Sequence, residues 1–178
     1  AIVGPNGAGK TTYFNLISGQ LKATSGTVSL DGRMLTGLSP SSRTHAGLGR
    51  AFQLTNLFPN LTVLENVRLA VQATREGAHR RGLNLWSIWS DHKSLSARAD
   101  EILAQVALKA REHDTVASLP HGDQRKLEVA LLIALEPKVF MFDEPTAGMN
   151  AAEAPVILDL VRELKKDKSK TILLVEHK

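Results

Sequence analysis

Residues 4–12, GPNGAGKTT, constrain this chain more than any other stretch. They follow Ile2 and Val3, the end of an apolar strand-like run, and lead into a helical pattern from about Thr11 to Gly19. Strand, glycine-rich loop, lysine, threonine and helix in that order satisfy the spacing G-x-x-x-x-G-K-[ST], which a turn that merely ends a strand has no reason to meet. The glycines let the backbone curl until successive N–H groups of Gly7, Ala8, Gly9 and Lys10 face one concavity at a helix N-terminus, where they can hold phosphate oxygens. Asn6, Gly7, Ala8, Gly9, Lys10, Thr11 and Thr12 are therefore the candidate nucleotide-binding residues. Lys10 would neutralise charge at the β and γ phosphates, and the Thr11 hydroxyl would bind a bridging Mg2+.

Downstream, apolar runs of strand length alternate with helical patterns: AIV, a helix, later VFMF, another helix, then TILLV. Runs that are apolar throughout, rather than alternating, belong to parallel sheets covered on both faces. The expected fold class is α/β, a P-loop NTPase core with a mainly parallel central sheet. TVSLDGRML breaks the pattern: it alternates, and Asp31-Gly32 at its centre predicts a tight hairpin, hence a small antiparallel β piece. Ser39 before Pro40 marks a helix start, with that helix ending near Gly47, and Thr62 with Glu65 forms a capping box ahead of a further helix.

Helix-forming residues such as Ile102, Leu103 and Val106 then recur at helical spacing without a strand-like run. The chain reads as one domain over residues 1–178 with a helical subdomain, approximately residues 75–136, inserted into the core. Both ends fall inside strand patterns, so the sequence reads as a fragment truncated at both ends.

At 178 residues and 43% hydrophobic content the chain can bury a single core. The net charge of +4 is spread along the sequence and makes no case for nucleic acid. Cysteine is absent, which removes disulfides and thiolate metal sites. The longest apolar run, VALLIAL at 129–135, falls well short of the ~20 residues that cross a bilayer. Trp86 and Trp89 stand among Arg80, Arg81 and Lys93. Such tryptophans can stack on nucleic acid or sit at a membrane surface, but more often pack a loop onto its own subdomain.

VFMFDEP places Asp143 and Glu144 where a buried parallel strand emerges at its carboxyl end, the position ligands take in open α/β sheets. Asp143 could hold the magnesium shell through water, and Glu144 could accept hydrogen bonds from the attacking water and polarise it. No N-K-x-D motif for reading guanine is present, which disfavours a GTPase.

The loop at 4–12, AFQ with Gln53, the segment LPHGDQRK, DEPTAGMN and VEHK with His177 occur in the order found in nucleotide-binding subunits of ABC transporters, which this chain resembles over nearly its whole length. GKTTYFNLISGQLKATSG, GLGRAFQLTNLFPNLTVLENV and AGMN are similar, more narrowly, to ATP-binding subunits of branched-chain amino acid importers and their urea and amide relatives. The resemblance implies an ATPase coupled to transmembrane transport, with ATP and Mg2+ as cofactors. It implies catalytic roles for Glu144, His177 and Gln53, and metal contacts from Thr11, Gln53 and Asp143. Two cassettes, identical or sister subunits, would pair head to tail at the cytoplasmic face of the membrane. They would serve transmembrane permease subunits and, indirectly, a solute-binding protein, with no nucleic acid expected.

The family pattern L-S-G-G-Q, which meets the partner's nucleotide, is altered here to Leu119, Pro120, His121, Gly122, Asp123 and Gln124. Gly122 remains and the serine hydroxyl is lost. Pro120 offers neither a hydroxyl nor an N–H, Asp123 would repel a phosphate if turned inward, and His121 could donate in compensation. Asn150 stands where the wider family has aspartate. Two rival readings remain: a non-hydrolysing, ATP-gated regulatory or interaction module in an asymmetric pair, and an ABC ATPase acting on ribosomes or DNA.

Overall fold

A computed structural model describes residues 2–5, 7–51, 57–78, 92–147, 149, 151 and 154–176. Four parallel strands form the central sheet in the order β1 (Ile2–Val3), β6 (Thr171–Glu176), β5 (Val139–Asp143) and β4 (Leu48–Ala51). A separate two-stranded sheet pairs β2 (Ser29–Leu30) with β3 (Arg33–Met34) antiparallel. Asp31 and Gly32 both adopt positive φ, 49° and 77°, the backbone demanded by a two-residue hairpin whose twist matches its strands. The hairpin is shorter than TVSLDGRML implied, because each strand pairs over only two residues.

β5 shows how sequence becomes layers. All five of its residues are buried, and successive side chains point to opposite faces of the sheet. Phe140 and Phe142, stacked with centroids 6.2 Å apart, join the core under the helices. Val139 and Met141 face the other way and pack with Phe14, Leu35, Leu48 and Val175. Gly49 on β4 is needed for close packing, since a Cβ there would lie 2.6 Å from both Leu132 Cδ1 and Pro137 Cγ.

Helix α1 (Lys10–Ser18) follows the glycine loop and stops at Gly19, which takes φ 85°. Helix α2 (Pro40–His45) begins at Ser39, whose Oγ accepts the Ser42 N–H. Helix α3 (Val63–Ala78) carries the expected capping box: Thr62 N–H donates to Glu65 Oε2 at 2.8 Å, and Glu65 N–H donates to Thr62 Oγ1 at 3.2 Å. The Thr62 N–H, and the Thr62 hydroxyl that also donates to Glu65 Oε2 at 2.8 Å, hold Glu65 below its ordinary carboxyl value. Buried Asn66 ties the preceding loop down by accepting from Phe58 N–H and donating to the Phe58 and Thr62 carbonyls.

Helices α4 (His92–Gln105) and α5 (His121–Ala134) pack with α3, and α6 (Ala154–Lys166) buries Ile157 and Val161 against the same core. Thr74 Oγ1 donates to the Ala134 carbonyl at the end of α5, which fastens α3 to it. No described helix is long and apolar enough to cross a membrane. Trp86 and Trp89 lie outside the described residues.

Candidate functional site

The loop between β1 and α1 has the shape its glycines predict. Gly7 and Gly9 hold φ of 78° and 82°, a left-handed backbone that an L side chain enters only at a cost of about 1–2 kcal/mol. Ala8 N–H donates to the Pro5 carbonyl at 3.2 Å, and Tyr13 N–H donates to the carbonyl of Gly9, the N-cap of α1. The first N–H groups of α1 have no partner within the helix, and the helix dipole favours an anion at this end. Lys10 is buried, and its Nζ donates to the Gly4 and Pro5 carbonyls at 2.6 and 2.9 Å. Its ammonium is thereby held beside the loop.

Glu144 closes the opposite side. Gly7, Ala8, Gly9, Lys10, Thr11, Thr12 and Glu144 enclose an open cleft of about 410 Å³. No residue pattern in the sequence marks the backbone of Glu144, which takes φ 51° while its N–H donates to the Val175 carbonyl of β6 at 3.0 Å. A glutamate in that region costs on the order of 1–3 kcal/mol, and such strain concentrates at functional positions.

Asp143, one residue earlier, is buried at the end of β5. Its Oδ2 accepts from Arg50 Nη2 at 3.0 Å, while Oδ1 is buried without a hydrogen-bond partner. An acceptor held dry in this way invites a cation or its water shell. One carboxylate and the Thr11 hydroxyl are hard oxygen donors of the kind Mg2+ uses when substrate phosphates complete its sphere, so the residues present fit the ion.

Arg50 is the site residue that sequence reasoning missed. From β4 its Nη1 also donates to Asn15 Oδ1 at 2.6 Å and Ser18 Oγ at 3.0 Å on α1, and its guanidinium lies 5.6 Å from the Phe14 ring centroid. Burial pulls this guanidinium below its ordinary value, and the bond to and charge of Asp143 push it back. The available signal was a lone arginine in LGRA, a strand of otherwise small and apolar residues where a cation must find a buried partner.

LPHGDQRK forms the head of α5. Pro120 is the N-cap and provides no side-chain cap, with φ −56° and ψ 153°. Gln124 N–H donates to the Pro120 carbonyl, so the orphan donors are the N–H groups of His121, Gly122 and Asp123. Asp123 is already committed, with Oδ1 2.7 Å from Lys126 Nζ and Oδ2 3.0 Å from Arg111 Nε. Gln124 Nε2 donates to the Leu119 carbonyl, and exposed His121 borders a hollow shared with Leu57, Pro59 and Val116. Asn6, Gln53, Asn150 and His177 lie outside the described residues.

Comparison with known proteins identifies the family. The family model described as "ABC transporter" matches residues 1–147. The high-affinity branched-chain amino acid transport ATP-binding protein LivG of Escherichia coli is 36% identical over 99% of this chain and 70% of its own length. BraF of Pseudomonas aeruginosa, named for the same transport role, is 33% identical over the same shares. Among solved structures, MJ1267, an ATP-binding cassette of an ABC transporter in its ADP conformation, aligns with a TM-score of 0.77 at 30% identity. That alignment covers 99% of this chain and 68% of MJ1267. The dimeric post-hydrolysis state of MJ0796, bound to ADP and Pi, aligns at 0.78 and 28% identity over 99% and 73%. With its phosphate loop, its strand-end acids and these relatives in agreement, the chain belongs to the ABC transporter family, whose ATPases couple ATP hydrolysis to transport.

Proposed function

We propose that this protein is the ATP-hydrolysing subunit of an importer for branched-chain amino acids or related amides. It acts from the cytoplasmic face on a pair of transmembrane permease subunits that a solute-binding protein supplies. The observation that carries the proposal is Glu144, held at a left-handed φ across one cleft from the loop of Gly7 to Thr12. The importer class rests on the likeness to LivG and BraF.

In this reading the chain is one domain over residues 1–178, with the helices of approximately residues 75–136 as an inserted subdomain. Backbone N–H groups from Gly7 to Thr12, with Asn6 beside them, hold the phosphates. Lys10 exchanges the Gly4 and Pro5 carbonyls for β and γ oxygens. Thr11, Asp143 and Gln53 would hold Mg2+, which neutralises the charge that builds on the phosphates. Glu144 accepts a hydrogen bond from the attacking water and takes up its proton as the water oxygen bonds to the γ phosphorus; the bond to the bridging oxygen breaks and ADP leaves with that oxygen. His177 would hydrogen bond the γ phosphate.

The head of α5, with Pro120, His121, Gly122, Asp123 and Gln124, is assigned to the nucleotide of a second subunit, identical or sister. Asp123 does not oppose this role while Arg111 and Lys126 neutralise it.

The test is ATP-dependent uptake of a branched-chain amino acid by proteoliposomes holding the reconstituted importer, with amides as competitors. Uptake that requires ATP hydrolysis supports the proposal. Uptake that proceeds with Glu144→Gln, its hydrolysis abolished, would favour the non-hydrolysing module instead.

A further inference from the structure

We infer that Arg50 is a positioning residue that aims Asp143 at the magnesium–nucleotide site and sets its distance from the phosphate-loop helix. The inference rests on the proposed MgATP reading of the cleft. One planar guanidinium joins two elements that the chemistry requires to be in register. Nη2 grips Asp143 Oδ2 at the end of β5, and Nη1 grips Asn15 and Ser18 on α1, the helix that begins with Lys10 and Thr11. The side chains of Arg50 and Asp143 are only 11% and 3% exposed, so water does little of this work. With Oδ2 held by the arginine, Oδ1 is buried without a hydrogen-bond partner, and it is the oxygen this inference assigns to the ion's shell.

Geometry separates this role from that of a merely stabilising ion pair. The guanidinium ties the strand-end acid to α1 in one rigid piece, with Nη2 on Asp143 Oδ2 and Nη1 on Asn15 and Ser18, and a pair that served only stability would weaken nucleotide binding equally with and without magnesium. Lysine cannot substitute fully, because a single ammonium nitrogen is a point charge and lacks the two-armed fork that spans β5 and α1.

The decisive experiment titrates Mg2+ into the intact protein with a fluorescent ATP analogue and reads the midpoint of the magnesium-dependent gain in nucleotide affinity. Affinity in EDTA serves as the baseline. Arg50→Met should raise the magnesium midpoint by about 10- to 100-fold, the usual consequence of removing a partner behind a metal ligand, and lower affinity in EDTA by much less, since there only the grip on α1 is lost. Arg50→Lys should shift the midpoint the same way by less. If Arg50→Met does not fold, the lysine variant decides the question alone. A magnesium midpoint that stays put in the folded variants overturns the inference, and so does an equal loss of affinity with and without magnesium, which marks a purely structural pair. A wild-type protein whose nucleotide affinity ignores magnesium overturns the reading beneath it as well.

Discussion

Replacing Pro120 by serine tests the geometry of the α5 head. Pro120 opens that helix at φ −56° and ψ 153° without a side-chain cap. Ser39 opens α2 at nearly the same dihedrals, φ −64° and ψ 158°, and its Oγ accepts the Ser42 N–H at 3.2 Å. A serine at 120 would therefore place its Oγ within reach of the Asp123 N–H, the equivalent position three residues on. Capping of this kind contributes about 0.5–2 kcal/mol relative to alanine. Loss of the proline ring offsets part of that, since it returns about 0.4–1 kcal/mol of entropy to the unfolded chain.

Pro120→Ala supplies the right reference, because it also gives up the ring. Urea unfolding should find Pro120→Ser more stable than Pro120→Ala by roughly 1 kcal/mol at equal m. The hydroxyl can accept the helix N–H and still donate to a phosphate. In a Glu144→Gln background, MgATP-driven dimerisation followed by light scattering should then tighten by about tenfold or more, the worth of one hydrogen bond to a charged group. Equal unfolding midpoints for the serine and alanine variants would refute the capping geometry. Equal dimerisation by Pro120→Ser and the parent would show that the helix donors suffice without the hydroxyl.

Two further outcomes follow from packing and charge. Gly49→Ala must push a Cβ to 2.6 Å from Leu132 Cδ1 and Pro137 Cγ, so it should cost about 1–3 kcal/mol and lower the calorimetric midpoint; an unchanged midpoint would contradict the close approach of β4 to the end of α5. Glu65 is held below its ordinary value of 4.5 by the N–H and hydroxyl of Thr62, so its contribution is complete above that value and fades as pH falls through the lower folded one. The gap in thermal midpoint between wild type and Glu65→Gln should therefore shrink under acid conditions, and a gap that persists through that range would count against the capping box.

What could be read from the sequence was local, and what escaped it was not. GPNGAGKTT announces its fold because glycines, lysine and helix start lie within nine residues and each demands the next. Asp31-Gly32 and the Thr62–Glu65 pair are legible for the same reason. Arg50 was missed because its partners Asn15, Ser18 and Asp143 are 35, 32 and 93 residues away and meet only when β4 lies beside β5. Asp123 looked like a threat to a phosphate until the turn at Arg111 brought a cation against it. The left-handed backbone of Glu144 also has no sequence marker, since its strain is sustained by the surrounding structure and the bond to Val175 rather than by any local preference.

The most direct measurement of the account is single-turnover hydrolysis of MgATP by the wild type and by Glu144→Gln, with nucleotide affinity measured on the same samples. If Glu144 polarises the attacking water, the substitution should slow phosphate release by about 10²–10⁴-fold, the usual worth of a general base, and leave MgATP bound nearly as tightly. A variant that releases phosphate at the wild-type rate would contradict the account.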